Sequence, residues 1–248
     1  MDFIIAFPGF VIVALMVPAL AVRWFLVPGD RKRTEWFLVA TTLVEPMGMA
    51  AQLTANALSP LRPFKYDLYI YQFDTFFGSP SFRLGQMTWK HLWLHNLISV
   101  SYGLLPAAML SVFAAYLYLR SSSEALRIVK VFTLFFFSGA LVYLIIPVSG
   151  PVYAFPHFPE FPAPFIAHPL SLAAPPNAVP SGHTGGALLV LYFLWQWMAG
   201  RVFGIIFLAL TVLATLGSGQ HYLFDLITAV PYTAVVILIF KHRSVNYA

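Results

Sequence analysis

The chain is predicted to be an all-α, polytopic membrane protein, on three observations. Of its 248 residues 60% are hydrophobic and only 9% charged, and the mean hydropathy is +0.79, well above that of a soluble domain. Apolar windows of membrane-crossing length recur near 3–22, 34–58, 92–119, 129–147, 183–199, 202–219 and 222–240. Basic residues gather at the ends of these windows. Together they predict a single transmembrane domain over residues 1–248, crossing the bilayer seven times.

The first window could be taken for a leader, because Ala19-Leu20-Ala21 resembles a cleavage site. Its positive charges follow the apolar run, however, so it reads as a spanning helix. With the amino terminus outside and the carboxyl terminus cytoplasmic, the inner segments collect Arg23, Arg31, Lys32, Arg33, Arg120, Arg127, Lys130, Arg201, Lys241 and Arg243. Only Arg62, Lys65, Arg83 and Lys90 then lie outside. This bias accounts for the formal charge of +5, and no nucleic-acid partner is expected. The absence of cysteine excludes disulfides and thiolate metal sites.

Two long segments join the spans on the predicted outer face. Residues 59–91 carry Tyr66, Tyr69, Tyr71, Phe73, Phe76, Phe77, Phe82 and Trp89, which suits an interfacial segment at headgroup level. Residues 148–182 hold nine prolines, which forbid a long helix and favour stiff, extended backbone. Such a segment is either a rigid rim over a site or a plain spacer.

The chemistry lies at the outer ends of the last three windows. In Pro180-Ser181-Gly182-His183-Thr184 the serine is a good N-cap, and the small residues leave backbone N–H groups open at a helix start. Free N–H groups and the positive end of the helix dipole favour an anion there. Thirty-eight residues later, His221-Tyr222-Leu223-Phe224-Asp225 places a histidine and a carboxylate four apart, hence on one helix face, with Asp225 a turn deeper. An ionisable group in an apolar segment costs on the order of 3 kcal/mol unless paired. Asp225 can accept a ring N–H of His221, fixing its tautomer, while His183 can donate a proton to a leaving oxygen.

At these residues the chain resembles the type 2 phosphatidic acid phosphatase superfamily, membrane lipid phosphatases and phosphotransferases. The resemblance implies a six-helix phosphatase-like core preceded by one extra span. It also implies that His221 forms a phosphohistidine, Asp225 orients it and His183 protonates the leaving group, with Ser181 and Gly182 holding phosphate oxygens. Neither metal nor cofactor is implied. The substrate would be a phospholipid or isoprenoid phosphate drawn from the membrane lipids at the outer face, with water or an alcohol or polyol as acceptor.

The match has gaps. The third motif of that family begins with Ser-Arg six and five residues before its histidine, where this chain has Thr215 and Leu216. The first, Lys followed after six residues by Arg-Pro, retains Arg62-Pro63 but has Ala55 for the lysine. Arg62, Lys65, Arg83 and Lys90 are the cations left for phosphate on that side. These losses, with Phe73-Asp74-Thr75-Phe76-Phe77-Gly78-Ser79-Pro80, resemble the branch containing fungal inositol phosphorylceramide synthase, which transfers a phosphoalcohol headgroup. Sphingomyelin synthases also have a Ser-Gly-His-Thr and a His-Tyr-x-x-Asp.

Two readings of other classes remain. His91 and His95, four apart, with His157 and His168, could form a zinc site. Glu45-Pro46 with Gln52 and Asn56 could line a polar path in a non-catalytic transport or lipid-binding protein.

Overall fold

The computed structural model of the chain describes residues 15–24 and 26–243. It is helical almost throughout: α1 (Leu15–Trp24), α2 (Arg31–Leu58), α3 (Asp67–Thr75), α4 (Pro80–Lys90), α5 (Leu92–Gly103), α6 (Leu105–Leu119) and α7 (Ser122–Ile145) come first. The short α8 (Pro151–Ala154), then α9 (Gly182–Leu194), α10 (Met198–Gly217) and α11 (Leu223–Arg243) follow. Two two-residue strands, β1 (Phe64–Lys65) and β2 (Leu170–Ser171), pair antiparallel. The all-α membrane bundle expected from the sequence is the fold observed. Residues 3–14 of the first expected span, and the side chain of Glu45, lie outside the described residues.

Span by span there are differences. Among the described residues α7, α10 and the Leu223–Phe240 part of α11 are each long and apolar enough to cross a membrane. The window at 92–119 is two helices, α5 and α6, bent by 46° at Leu104. Pro106, in the first turn of α6, has no N–H for the Tyr102 carbonyl one turn back, which breaks the helical ladder there. The window at 183–199 yields only the 13 residues of α9, about 20 Å of helix against a hydrocarbon core of roughly 30 Å. After Leu194 the chain turns and re-enters as α10, four residues earlier than expected.

Helix α9 is the axis of the bundle, packed against α6, α7, α10 and α11. Its apolar side chains Ala187, Leu189, Val190 and Phe193 interlock with Leu105, Val112, Ile128, Phe135, Phe207 and Val236. Small residues allow the close approach. A Cβ on Gly185 would stand 2.2 Å from the Phe135 ring. Helices α1 and α2 lie to one side, where Leu20 and Phe37 pack on Phe113 and Leu117.

The two long connecting segments fold together over one end of the bundle. Besides the β1–β2 pair, Ser59 Oγ donates to the Ala173 carbonyl at 2.7 Å, and Tyr66 N–H donates to the Pro147 carbonyl at 2.9 Å. The aromatic segment is only partly exposed. Tyr71 and Phe82 are buried against Phe155, Phe158 and Phe165 in a core of their own, while Tyr69, Phe76, Phe77 and Trp89 are exposed.

Candidate active site

The start of α9 is built as the sequence predicts. Ser181 is extended (φ −62°, ψ 112°) and its Oγ accepts the Thr184 N–H at 3.3 Å, while its carbonyl accepts the Gly185 N–H at 3.0 Å. Ser181 is fully buried, its hydroxyl turned to Thr184 Oγ1 at 3.1 Å. Among the described residues nothing accepts from the N–H groups of Gly182 and His183, so these two are the open donors of the helix start. The imidazole of His183 stacks on Tyr102, ring centroids 3.6 Å apart and planes 22° from parallel. Tyr102 stands just before the bend between α5 and α6.

His221 is brought to the same place. The Ser181 N–H donates to the Asp225 carbonyl at 3.1 Å, tying the two motifs together through the backbone. The two imidazoles are near enough to interact electrostatically. His221 is buried, and its Nδ1 lies 3.0 Å from the Ala178 carbonyl and 3.3 Å from Asp225 Oδ2. The Ala178 carbonyl can only accept, so Nδ1 carries the hydrogen and Nε2 keeps its lone pair.

One expectation is corrected. His221 and Asp225 do not share a helix face, because α11 begins only at Leu223. Gly219, at φ +72°, turns the chain out of α10, and the His221 N–H returns to the Thr215 carbonyl at 3.2 Å. Asp225 sits in the first turn of α11 and reaches back, accepting the Tyr222 N–H at 2.8 Å with the same Oδ2 that faces His221. The pair meets through a helix-start geometry instead of an i, i+4 stack.

Two carboxylates not singled out as site residues from the sequence complete this region. Asp74 Oδ2 accepts the Leu223 N–H at 2.8 Å and Oδ1 the Phe224 N–H at 3.2 Å, so α3 supplies the cap of α11. Asp67 Oδ1 accepts the Tyr222 hydroxyl at 3.1 Å and the Gly150 N–H at 2.8 Å, and Oδ2 accepts the Ser149 N–H at 3.1 Å. Burial pushes both carboxyls up to about 6, against the downward pull of these donors. The available signal was two aspartates seven residues apart, two helical turns, in a segment that otherwise reads as aromatic.

Of the four candidate cations, the half-buried Arg62 neighbours Lys65 at β1, and Arg83 and Lys90 sit on α4. The Lys65 ammonium is buried within the paired segments and donates to the carbonyls of Arg62 and Leu172, and burial lowers its pKa against the pull of Asp67. Arg83 is exposed and its Nε donates to the Gly78 carbonyl at 2.7 Å, closing the turn between α3 and α4. Lys90, exposed at the end of α4, borders an open cavity with Trp89, Leu92 and His95. Among the described residues no group of three or more His, Asp or Glu could hold a metal ion, so His91 and His95 lack companions for a zinc site.

A family model of the PAP2 superfamily matches residues 68–239, more than half of the chain. The chain belongs to the PAP2 superfamily. Members of this superfamily are generally phosphatases or phosphotransferases. The PAP2 match runs from the second residue of α3 through nearly all of α11, with His183, His221 and Asp225, and leaves out α1, α2, Arg62, Lys65 and Asp67. No curated protein and no solved structure matches the chain.

Proposed function

We propose that this PAP2 protein cleaves a lipid phosphoester through a phosphohistidine on His221, at the extracytoplasmic face of the membrane and without a metal. The observation that carries the reading is the Ala178 carbonyl 3.0 Å from His221 Nδ1. A backbone carbonyl cannot donate, so it fixes the tautomer and presents Nε2 as a nucleophile, and Asp225 stabilises the positive ring that forms.

The Nε2 lone pair attacks phosphorus, the bond from phosphorus to the lipid oxygen breaks, and His183 gives its proton to the departing alkoxide. The open Gly182 and His183 N–H groups at the positive end of α9 stabilise the phosphoryl oxygens in transit, with Ser181 setting their geometry. Of the four cations on this side, Arg62, Arg83 and Lys90 remain for the headgroup, because the Lys65 ammonium is buried on the carbonyls of Arg62 and Leu172. In the second half His183 takes a proton from the acceptor, the acceptor oxygen attacks phosphorus, and the bond to Nε2 breaks.

Water as acceptor makes a phosphatase, and a lipid or polyol hydroxyl makes a headgroup transferase of the inositol phosphorylceramide synthase type. The test incubates the purified protein with phosphatidate, isoprenyl diphosphate and phosphoinositide, with and without alcohol acceptors, scoring free phosphate against transferred product. Turnover of at least one substrate is expected, and H221A should abolish it. Undiminished turnover by correctly inserted H221A would sink the proposal.

A further inference from the structure

His221 stands in the irregular link between α10 and α11, outside any helix, so the direction of its Nε2 depends on whatever holds the neighbouring chain. Only Tyr222, Leu223 and Phe224 separate it from Asp225. Their N–H groups and the Tyr222 hydroxyl have four partners. Tyr222 N–H goes to Asp225 itself, and the other three go to α3: the hydroxyl to Asp67, the Leu223 and Phe224 N–H groups to Asp74. The seven-residue spacing puts both aspartates on the face of α3 that meets α11. Phe73, beside Asp74, packs edge-on against Phe224 with ring centroids 5.1 Å apart.

Asp67 has a second grip. It also holds the N–H groups of Ser149 and Gly150, and that turn is pressed against the residue before His221. The Val152 N–H donates to the Gly219 carbonyl at 2.9 Å, and a Cβ on Gly150 would lie 2.3 Å from the Gln220 carbonyl oxygen. The chain on both sides of His221 is therefore fastened to α3, which contributes no group of its own to the proposed phosphoryl transfer.

We propose that Asp67 and Asp74 are positioning residues for the nucleophile: by clamping the Tyr222–Phe224 link, α3 aims His221 Nε2 at the phosphorus. In-line attack requires the reacting atoms about 3–3.5 Å apart, and a misplacement of about 1 Å can cost on the order of 100-fold in rate. A cap that served only to stabilise α11 could have come from a neighbouring Ser or Asp. This one comes from 149 residues away in sequence, which links α3 to the geometry of the site.

The inference rests on the proposed role of His221, and the experiment keeps the two apart. Purified full-length D74A, D74N, D67N, Y222F and H221N are compared with the parent on the panel substrate that the parent turns over. The readouts are kcat, KM, thermal midpoint and the labelled phosphohistidine trapped in a single turnover. D74A and Y222F are expected to lower kcat and the rate of label incorporation by about 10- to 100-fold, with KM within about twofold. D74N should recover part of the loss, because asparagine also caps helices well. Parental kcat in folded D74A and Y222F overturns the clamp, as does a kcat loss that only tracks the loss of folded protein. If D74A fails to fold, Y222F decides, since it removes one hydroxyl and leaves the α11 cap in place. Activity in H221N would instead overturn the nucleophile itself.

Discussion

At Asp67 and Asp74 two requirements pull in opposite directions. Both carboxyls are buried, which favours the protonated form, yet their recorded partners are all donors, which only an ionised carboxylate satisfies in full. Lys65, Tyr222 and Asp225 face Asp67, and Asp225 and Tyr222 face Asp74. With pKa values of about 6 when folded, against about 4 for an ordinary carboxylate, the folded chain binds these protons more tightly than the unfolded one. Their contribution to stability is therefore full below about pH 4 and lost as pH rises through 6. Activity should run the other way, kcat rising through about pH 6 as the clamp ionises. Melting scans and pH–rate profiles check both, and D67N/D74N should flatten the two dependences. A double variant with the parental slopes would show that other groups set them.

At the scale of elements, what could be read in advance was whatever depends on neighbours in sequence. Ser181 caps α9 because a serine after proline and before small residues does so almost anywhere, and His183 was marked by its place in an apolar stretch. The Asp225 contact to His221 was anticipated, yet through the wrong geometry. The start of α11 is decided by Asp74, a long-range partner that periodicity cannot reveal. The bend at Leu104 had a local signal, Pro106, which a window average conceals. The turn at Gly150 belongs to this scale too. Its φ of +104° and its approach to Gln220 leave no room for a side chain. G150A should cost roughly 1–3 kcal/mol and lower the melting temperature and kcat together, whereas G29A, with no atom within 4 Å of the added methyl, should change neither.

For the whole molecule, the absence of cysteine makes sidedness directly measurable. Single substitutions at exposed Gln72, on α3 beside the histidines, and at exposed Ser123, on α7 at the opposite end, sample the two faces. An impermeant maleimide should label Q72C in intact cells and S123C only after the membrane is opened. The reverse pattern would turn the site toward the cytosol. The bundle was legible from composition and the recurring apolar windows, and the place of the candidate site from ionisable groups in apolar stretches. The way residues 59–91 and 148–182 close over one end was not, because it rests on pairings such as Phe64 with Ser171, more than a hundred residues apart.

The boundary of the recognised PAP2 region falls at Leu68, one position after Asp67. Asp67 holds Tyr222 and the Ser149–Gly150 turn, and just ahead of it Phe64–Lys65 stitches the two coverings to each other. A version trimmed to the recognised stretch would keep both histidines and Asp225 while losing Asp67, one jaw of the proposed clamp on the link beside His221. Any shortened or transplanted version should begin upstream of Phe64.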